Sequence, residues 1–216
     1  LHVCIPVIAA SNFFRVASAD AARRDTVSRA LGGDVRPSKI DIENRDSFVT
    51  NLQLATYGSF LVSFVQGLHL IAKANEENGW NLNFCDVLQL WRGGAIIQSD
   101  EIVDLLEAVY RSQEHDDDNL LGHHRVARAL LKALPSLKNV VLKAIDSDAY
   151  VPALAASLEY IKYSGATDLP TSFQEAQLDY FGEHMYDLKS DGPGKPVTGE
   201  HHFEWKPARG INEADA

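Results

Sequence analysis

Several places in this sequence carry residue types capable of chemistry. Arg15 is a single cation among Phe13, Phe14 and Val16. A guanidinium in an apolar stretch needs a partner, either a buried carboxylate or an anionic ligand, because unpaired charge is costly to remove from water; the sequence leaves both open. Arg92 follows Trp91 and precedes Gly93 and Gly94. That setting suits an anion cradle, but an arginine in the last turn of a helix more commonly satisfies terminal carbonyls and the helix dipole. His184 closes the segment Gln177-Leu178-Asp179-Tyr180-Phe181-Gly182-Glu183-His184, where its simplest role is that of an exposed histidine at a helix C-terminus. The pairs His123-His124 and His201-His202, the first near Asp116 to Asp118, raise a metal reading. Adjacent residues on a helix point about 100° apart, and no third or fourth ligand falls at a recognised spacing. These histidines are read as solvated, and no metal is expected.

Other chemistry is absent from the motif level. No GxGxxG opens a helix after a strand, no phosphate-loop pattern occurs, and no GxSxG elbow is found. The net charge of −10 over 216 residues opposes a surface that tracks nucleic-acid phosphates, so no nucleic-acid partner is expected. Cys4 and Cys85 have no paired spacing, which suits free thiols in a reducing, cytoplasmic setting. No run reaches the roughly 20 apolar residues of a membrane span, and no membrane partner is expected. Leu1 to Ala10 is apolar but lacks an initiating Met and a basic start, so it is not read as a secretory signal; opening on Leu in mid-pattern suggests a chain cut from something longer.

The elements that must position these residues read as helices nearly throughout. Val3 to Ser18, with Pro6 early, reads as a loop entering a helix that carries Phe13, Phe14 and Arg15, and Ala19 to Leu31 forms an exposed second one stopped at Gly32-Gly33. Residues 34–44 are read as loop. A long helix begins at Asp46 or Ser47 as cap and carries apolar residues on nearly every face, from Phe48 to Ile71, before ending at Asn78-Gly79. At about 30 residues it spans about 45 Å, and part of it is expected to pack on another chain, with Gly58, Ser59, Ser63 and Gly67 allowing close approach. Asn83 caps a short helix that Arg92-Gly93-Gly94 breaks, and Ser99 starts the next. Helices over Leu120–Leu134, Ser136–Asp146 and Pro152–Ser164 follow. The last helix has a capping-box pattern, with Ser172 as cap and Glu175 three residues on. The expectation is an all-α fold, a helical bundle over 1–189 with one long buried helix, followed by an extended tail over 190–216 in which Phe203 and Trp205 can be anchored.

Three blocks and the final helix then resemble one family. Tyr57-Gly58 through Gln66-Gly67, Gly79-Trp80-Asn81-Leu82-Asn83, Leu90-Trp91-Arg92-Gly93-Gly94-Ala95-Ile96-Ile97-Gln98-Ser99, and Leu169-Pro170 with Gln174 to His184 are similar, in this order, to the helical domain of decarboxylating 6-phosphogluconate dehydrogenases. The opening Val3-Cys4-Ile5-Pro6 fits the same frame. The resemblance implies an upstream Rossmann domain that binds NADP and an upstream Lys and Glu that serve as base and acid, so no catalytic residue is expected in this chain. It implies a homodimer, with residues 1–189 supplying substrate binding and dimerisation. It also implies that Arg15 holds the phosphate of a small phosphorylated sugar acid, and that His184 is contributed to the same site by the partner subunit.

Two positions depart from that pattern. The family's other phosphate arginine falls at Leu178, and Gln98 stands where the family has arginine. Leu cannot supply a charge-assisted hydrogen bond, worth about 1.5–3 kcal/mol. Positions 178 and 184 also lie six apart, about 120° out of phase on a continuous helix, so they can face one ligand only if the helix ends between them, as Gly182 allows. These features fit either an NADP-dependent enzyme acting on 6-phosphogluconate or a less anionic relative, or a divergent, non-catalytic homologue that serves as a dimerisation module.

Overall fold

The computed structural model describes residues 1–33, 35–96, 98–112, 114–117, 119–191 and 199–204. They form eight α-helices and two short 3-10 turns, with one isolated antiparallel bridge between Tyr186 and His201. The chain divides into two compact units, Leu1–Ser164 and Gly165–Ala216, so the division precedes the last helix.

The first unit holds α1 (Pro6–Ala19), α2 (Ala21–Ala30), α3 (Arg45–Asn78), α4 (Phe84–Gly94), α5 (Asp100–Tyr110), α6 (His124–Asp146) and α7 (Pro152–Gly165). Its centre is the pairing of α3 with α6. Leu61, Val62, Val65 and Leu68 of α3 are sealed against Leu88, Ile102, Val103, Leu106 and Val109 from α4 and α5 and Val126 and Leu130 from α6. A smaller cluster joins Ala55 to Leu137, Val140, Val141 and Leu158.

The small residues of α3 are used within this chain. A Cβ on Gly58 would lie 2.8 Å from Ala133 Cβ, and one on Gly67 would lie 2.9 Å from the Trp91 ring. Ser157 Oγ donates to Ala153 O at 2.8 Å, so the 2.6 Å bond with Ser59 Oγ has Ser59 as donor. Gly58, Gly67 and Ser59 thus admit close approach of α6, α4 and α7 within this chain. Nor is α3 buried all round: Val49, Leu52 and Phe60 remain exposed. By length and composition α3 does pass the test for a membrane span, with an 18-residue window of mean hydropathy 1.4, contrary to the sequence reading; half of that window is buried inside the protein, as in a core helix.

Helix ends differ from expectation where backbone geometry outweighs side-chain pattern. The α3 cap is Asn44, which accepts from Ser47 N at 2.9 Å, one turn before the expected position. Gly79 takes the left-handed conformation at φ 63 that closes this helix. α4 continues through Gly93 and Gly94 to Ala95 rather than breaking after Trp91. The two expected helices around Pro135 are one, α6. Proline there removes an N–H and costs about 3 kcal/mol, but the helix is held on both sides: Ala133 against Gly58, Leu137 in the core, and Ser136 Oγ donating to Asn51 Oδ1 at 2.8 Å.

The second unit holds α8 (Thr171–Phe181) and the residues after it. Its capping box does not form. The Pro170 carbonyl already accepts from Phe173 N and Gln174 N, so the helix starts at Thr171 and Ser172 lies inside it. Gly182 ends the helix, between positions 178 and 184 as the geometry required. Trp205, proposed as a tail anchor, lies outside the described residues.

Candidate functional site

Arg15 lies on α1, whose N-terminus is fixed by Gln66 of α3: the buried Gln66 Oε1 accepts from Val7 N at 3.1 Å. The apolar neighbours of Arg15 do not enclose it. Phe13, Phe14 and Val16 are all exposed, as is Arg15 itself. Among the described residues no carboxylate forms an ion pair with Arg15. Beside this helix, α1, α2 and the α6–α7 junction enclose an open groove of about 1230 Å³, with Phe14, Val27, Leu31 and Tyr150 on its walls and Arg23 and Arg24 at its rim.

Arg92 serves structure, though by another route than the terminal carbonyls of its own helix. Its guanidinium reaches α5, pairing with Asp104 and, at 3.4 Å, with Asp100. The pairing with Asp104 pushes the Arg92 pKa further up. Gln98 is exposed and bonds back to Gly93 O at 3.5 Å.

The histidines are not simply solvated. His123 is 5% exposed and caps α6. Ser112 Oγ donates to Val109 O at 2.7 Å, so His123 Nε2 donates to Ser112 Oγ at 3.2 Å while Nδ1 accepts from Arg125 N. Burial, with the neighbouring His124, pushes the His123 pKa down and keeps the ring neutral. Glu114, nine residues before His123, brings a carboxylate to this pair, with ligand atoms of all three residues within 4.8 Å. Sequence spacing missed that third group. A metal on His123 Nε2 would, however, move the ring proton to Nδ1 and break the α6 cap, so this ring has no lone pair free for a cation.

His184 lies exposed between Gly182 and Met185, which adopts φ 65. The backbone there is tied to Asp179, the one buried residue of α8 at 2% exposure. Asp179 Oδ1 accepts from Met185 N at 2.9 Å and His202 Nδ1 at 2.8 Å, and Oδ2 accepts from Phe203 N at 3.1 Å. The hydrogen bond to Asp179 raises the His202 pKa. His201 meanwhile pairs with Asp191 at 2.9 Å. Leu178, one residue before Asp179, points to solvent at 52% exposure. Arg15 and His184 belong to different units. The sequence reading took His202 as a solvated residue and gave Asp179 no role; an acid set between the apolar Leu178 and the aromatic Tyr180 and Phe181 was the available signal.

An all-α scaffold built on one long central helix, with Arg15 exposed on its first helix and His184 exposed just past its last, defines an all-helical domain. The chain belongs to the 6-phosphogluconate dehydrogenase family: the family described as "6-phosphogluconate dehydrogenase, C-terminal domain" matches residues 1–205. It is 42% identical over 96% of its length to the decarboxylating 6-phosphogluconate dehydrogenase of Emericella nidulans, covering 42% of that protein. With that of Treponema pallidum it shares 32% identity over 88% of this chain and 39% of the relative. The solved Plasmodium falciparum 6-phosphogluconate dehydrogenase, described with its cofactor NADP+ and its substrate 6-phosphogluconate, superimposes with a TM-score of 0.77 at 29% identity, over 94% of this chain and 42% of that one. The chain thus spans about two fifths of the length of these relatives.

Proposed function

We propose that this chain is the C-terminal part of an NADP-dependent enzyme that oxidises and decarboxylates 6-phosphogluconate in the cytoplasm, and that it contributes substrate contacts and a dimer interface rather than the reacting groups. The observation that carries this is the family match over residues 1–205, together with an arginine, Arg15, that is solvent-facing and free of ion pairs among the described residues. A guanidinium held this way binds a phosphate bidentately. His184 is the second contact, reaching a site in the partner subunit. NADP would be held outside this chain, whose described residues are helical and offer no strand-to-helix dinucleotide cradle. The exposed Val49, Leu52 and Phe60 of α3 are the apolar surface a second copy would cover. The free thiols of Cys4 and Cys85 fit a reducing compartment.

The test is NADP reduction by the full-length protein. Turnover with 6-phosphogluconate, lost in Arg15→Ala, supports the reading; a folded dimer that reduces no NADP with any aldonate or aldonate phosphate overturns it. Sedimentation of the protein as a monomer at micromolar concentration would remove the dimer and with it the role of His184 in trans.

A second reading is favoured by the exposed Leu178, at the position where the resemblance expects a phosphate arginine. Here the protein acts on a less anionic acid, or is a non-catalytic homologue used for dimerisation. Tighter binding of gluconate than of 6-phosphogluconate would support the altered substrate.

A further inference from the structure

Within the second unit, burial is inverted. Phe173, Leu178, Tyr180 and Phe181 of α8 are exposed, while the residue withdrawn from water is Asp179. A buried carboxylate is tolerated when its oxygens are supplied with donors and a compensating cation. Asp179 has both. Met185 N and Phe203 N donate to it from two separate stretches of backbone, and His202 supplies the ring N–H. Met185 directly follows His184 and is held at a positive φ, a conformation that a non-glycine residue keeps only when its surroundings enforce it. One residue further, Tyr186 and His201 exchange backbone bonds of 2.8 and 3.0 Å. His184 therefore sits on a short span fixed at one end by the close of α8 and at the other by Asp179, and the same carboxylate fastens residues 202 and 203.

We propose that Asp179 is the positioning residue for the His184 contact, and that its bond with His202 couples docking of residues 200–204 to that contact. This rests on the reading of His184 as a substrate ligand. Asp179 touches no substrate itself. Its work is to hold the Met185 amide, and so the direction in which His184 projects, while His202 donates its ring N–H to the same carboxylate. The charged groups around His202 are Asp179, Glu183 and Glu204, and His201 and Asp191 form a second pair on the same bridge.

The experiment uses the full-length protein and measures 6-phosphogluconate binding by calorimetry at pH 6 and pH 8, for wild type, His184→Gln, Asp179→Asn and His202→Gln. Asp179→Asn turns an amide N–H toward donors that the carboxylate accepts from, and it should weaken binding roughly tenfold or more. His202→Gln keeps the fold and a neutral donor. It should weaken binding several-fold at pH 6 and narrow the difference between pH 6 and pH 8 relative to His184→Gln, the ionisation of the substrate phosphate at about pH 6 being common to all variants. Hydrogen exchange of the peptide spanning 183–190 should accelerate in both Asp179→Asn and His202→Gln, whatever the ligand does. If His184→Gln binds like wild type, the substrate role of His184 fails and the proposal with it. If His184→Gln weakens binding but His202→Gln matches wild type in affinity, pH response and exchange, the positioning role alone is overturned.

Discussion

In Leu1–Ser164 the side chains withdrawn from water are mostly apolar, Leu61, Leu68, Leu88, Leu106 and Leu137 among them, with Gln66, Glu107 and His123 as polar exceptions; in α8 the one withdrawn from water is a carboxylate. The first unit gains stability from apolar burial, about 25 cal/mol per Å² and indifferent to pH. The second gains it from hydrogen bonds to a charge, which depend on geometry and protonation. The comparison separates scaffold from adjustable part. The long α3–α6 pair can tolerate an interior proline because packing fixes it, whereas the segment carrying His184 is fixed through a few polar atoms and responds to their loss.

The largest effect expected from this contrast is in the apolar unit. Leu68→Ala, at a fully buried site, should lower unfolding free energy by about 2–5 kcal/mol, equally at pH 6 and pH 8, in urea titrations. A pH-dependent loss would mean that the core also relies on titrating groups.

Next is Leu178→Arg. Because Leu178 is exposed, the change should leave stability within about 0.5 kcal/mol. Affinity of the full-length protein for 6-phosphogluconate should rise by roughly 10- to 150-fold, the worth of one charge-assisted hydrogen bond. Unchanged affinity in calorimetry would mean that the phosphate does not approach this face of α8.

How far the sequence reveals this molecule follows the same division. The long apolar run of α3 announces a helix, and Gly79 and Gly182 mark the ends of α3 and α8, because each signal is local. Pro135 misleads because its cost is local while the compensation comes from Gly58 and Asn51 on another helix. Ser172 misleads because a capping pattern says nothing about whether Pro170 has already begun the turn. Arg15 can be flagged from its neighbours, but only the fold tells that those neighbours face solvent. Asp179, His202 and Glu114 are invisible as a group of roles, since each depends on partners 6 to 24 residues away.

A smaller effect is expected at His123, in the apolar unit but polar in function. Replacing it by Ala removes the side-chain cap of α6 and should cost about 1 kcal/mol at neutral pH. Its folded pKa is lowered below the ordinary 6.5. The stabilisation is therefore complete above 6.5 and is lost as pH falls through the folded value. Wild type should weaken on acidification in this window and His123→Asn, which caps without titrating there, should not; parallel melting curves for the two proteins would remove the cap from the explanation.

The smallest effect, and the one that most sharpens the comparison, is at His202. Its folded pKa is raised above 6.5, first by the hydrogen bond to Asp179 and then by the charges of Asp179, Glu183 and Glu204. The sign is opposite to that of His123: the extra stability of the charge-assisted bond is fully present below 6.5 and is lost as pH rises through the raised value. One chain thus carries two histidines that pull in opposite directions, the scaffold loosening at α6 in acid and the latch at residues 202–203 loosening in base. Hydrogen exchange, corrected for intrinsic rates, should show protection of the peptide at 199–204 falling between pH 6 and pH 8.5 while protection at 124–130 holds, and the reverse below pH 6. If both peptides lose protection together at either end, the two units do not open independently, and the polar latch shares the stability of the apolar core.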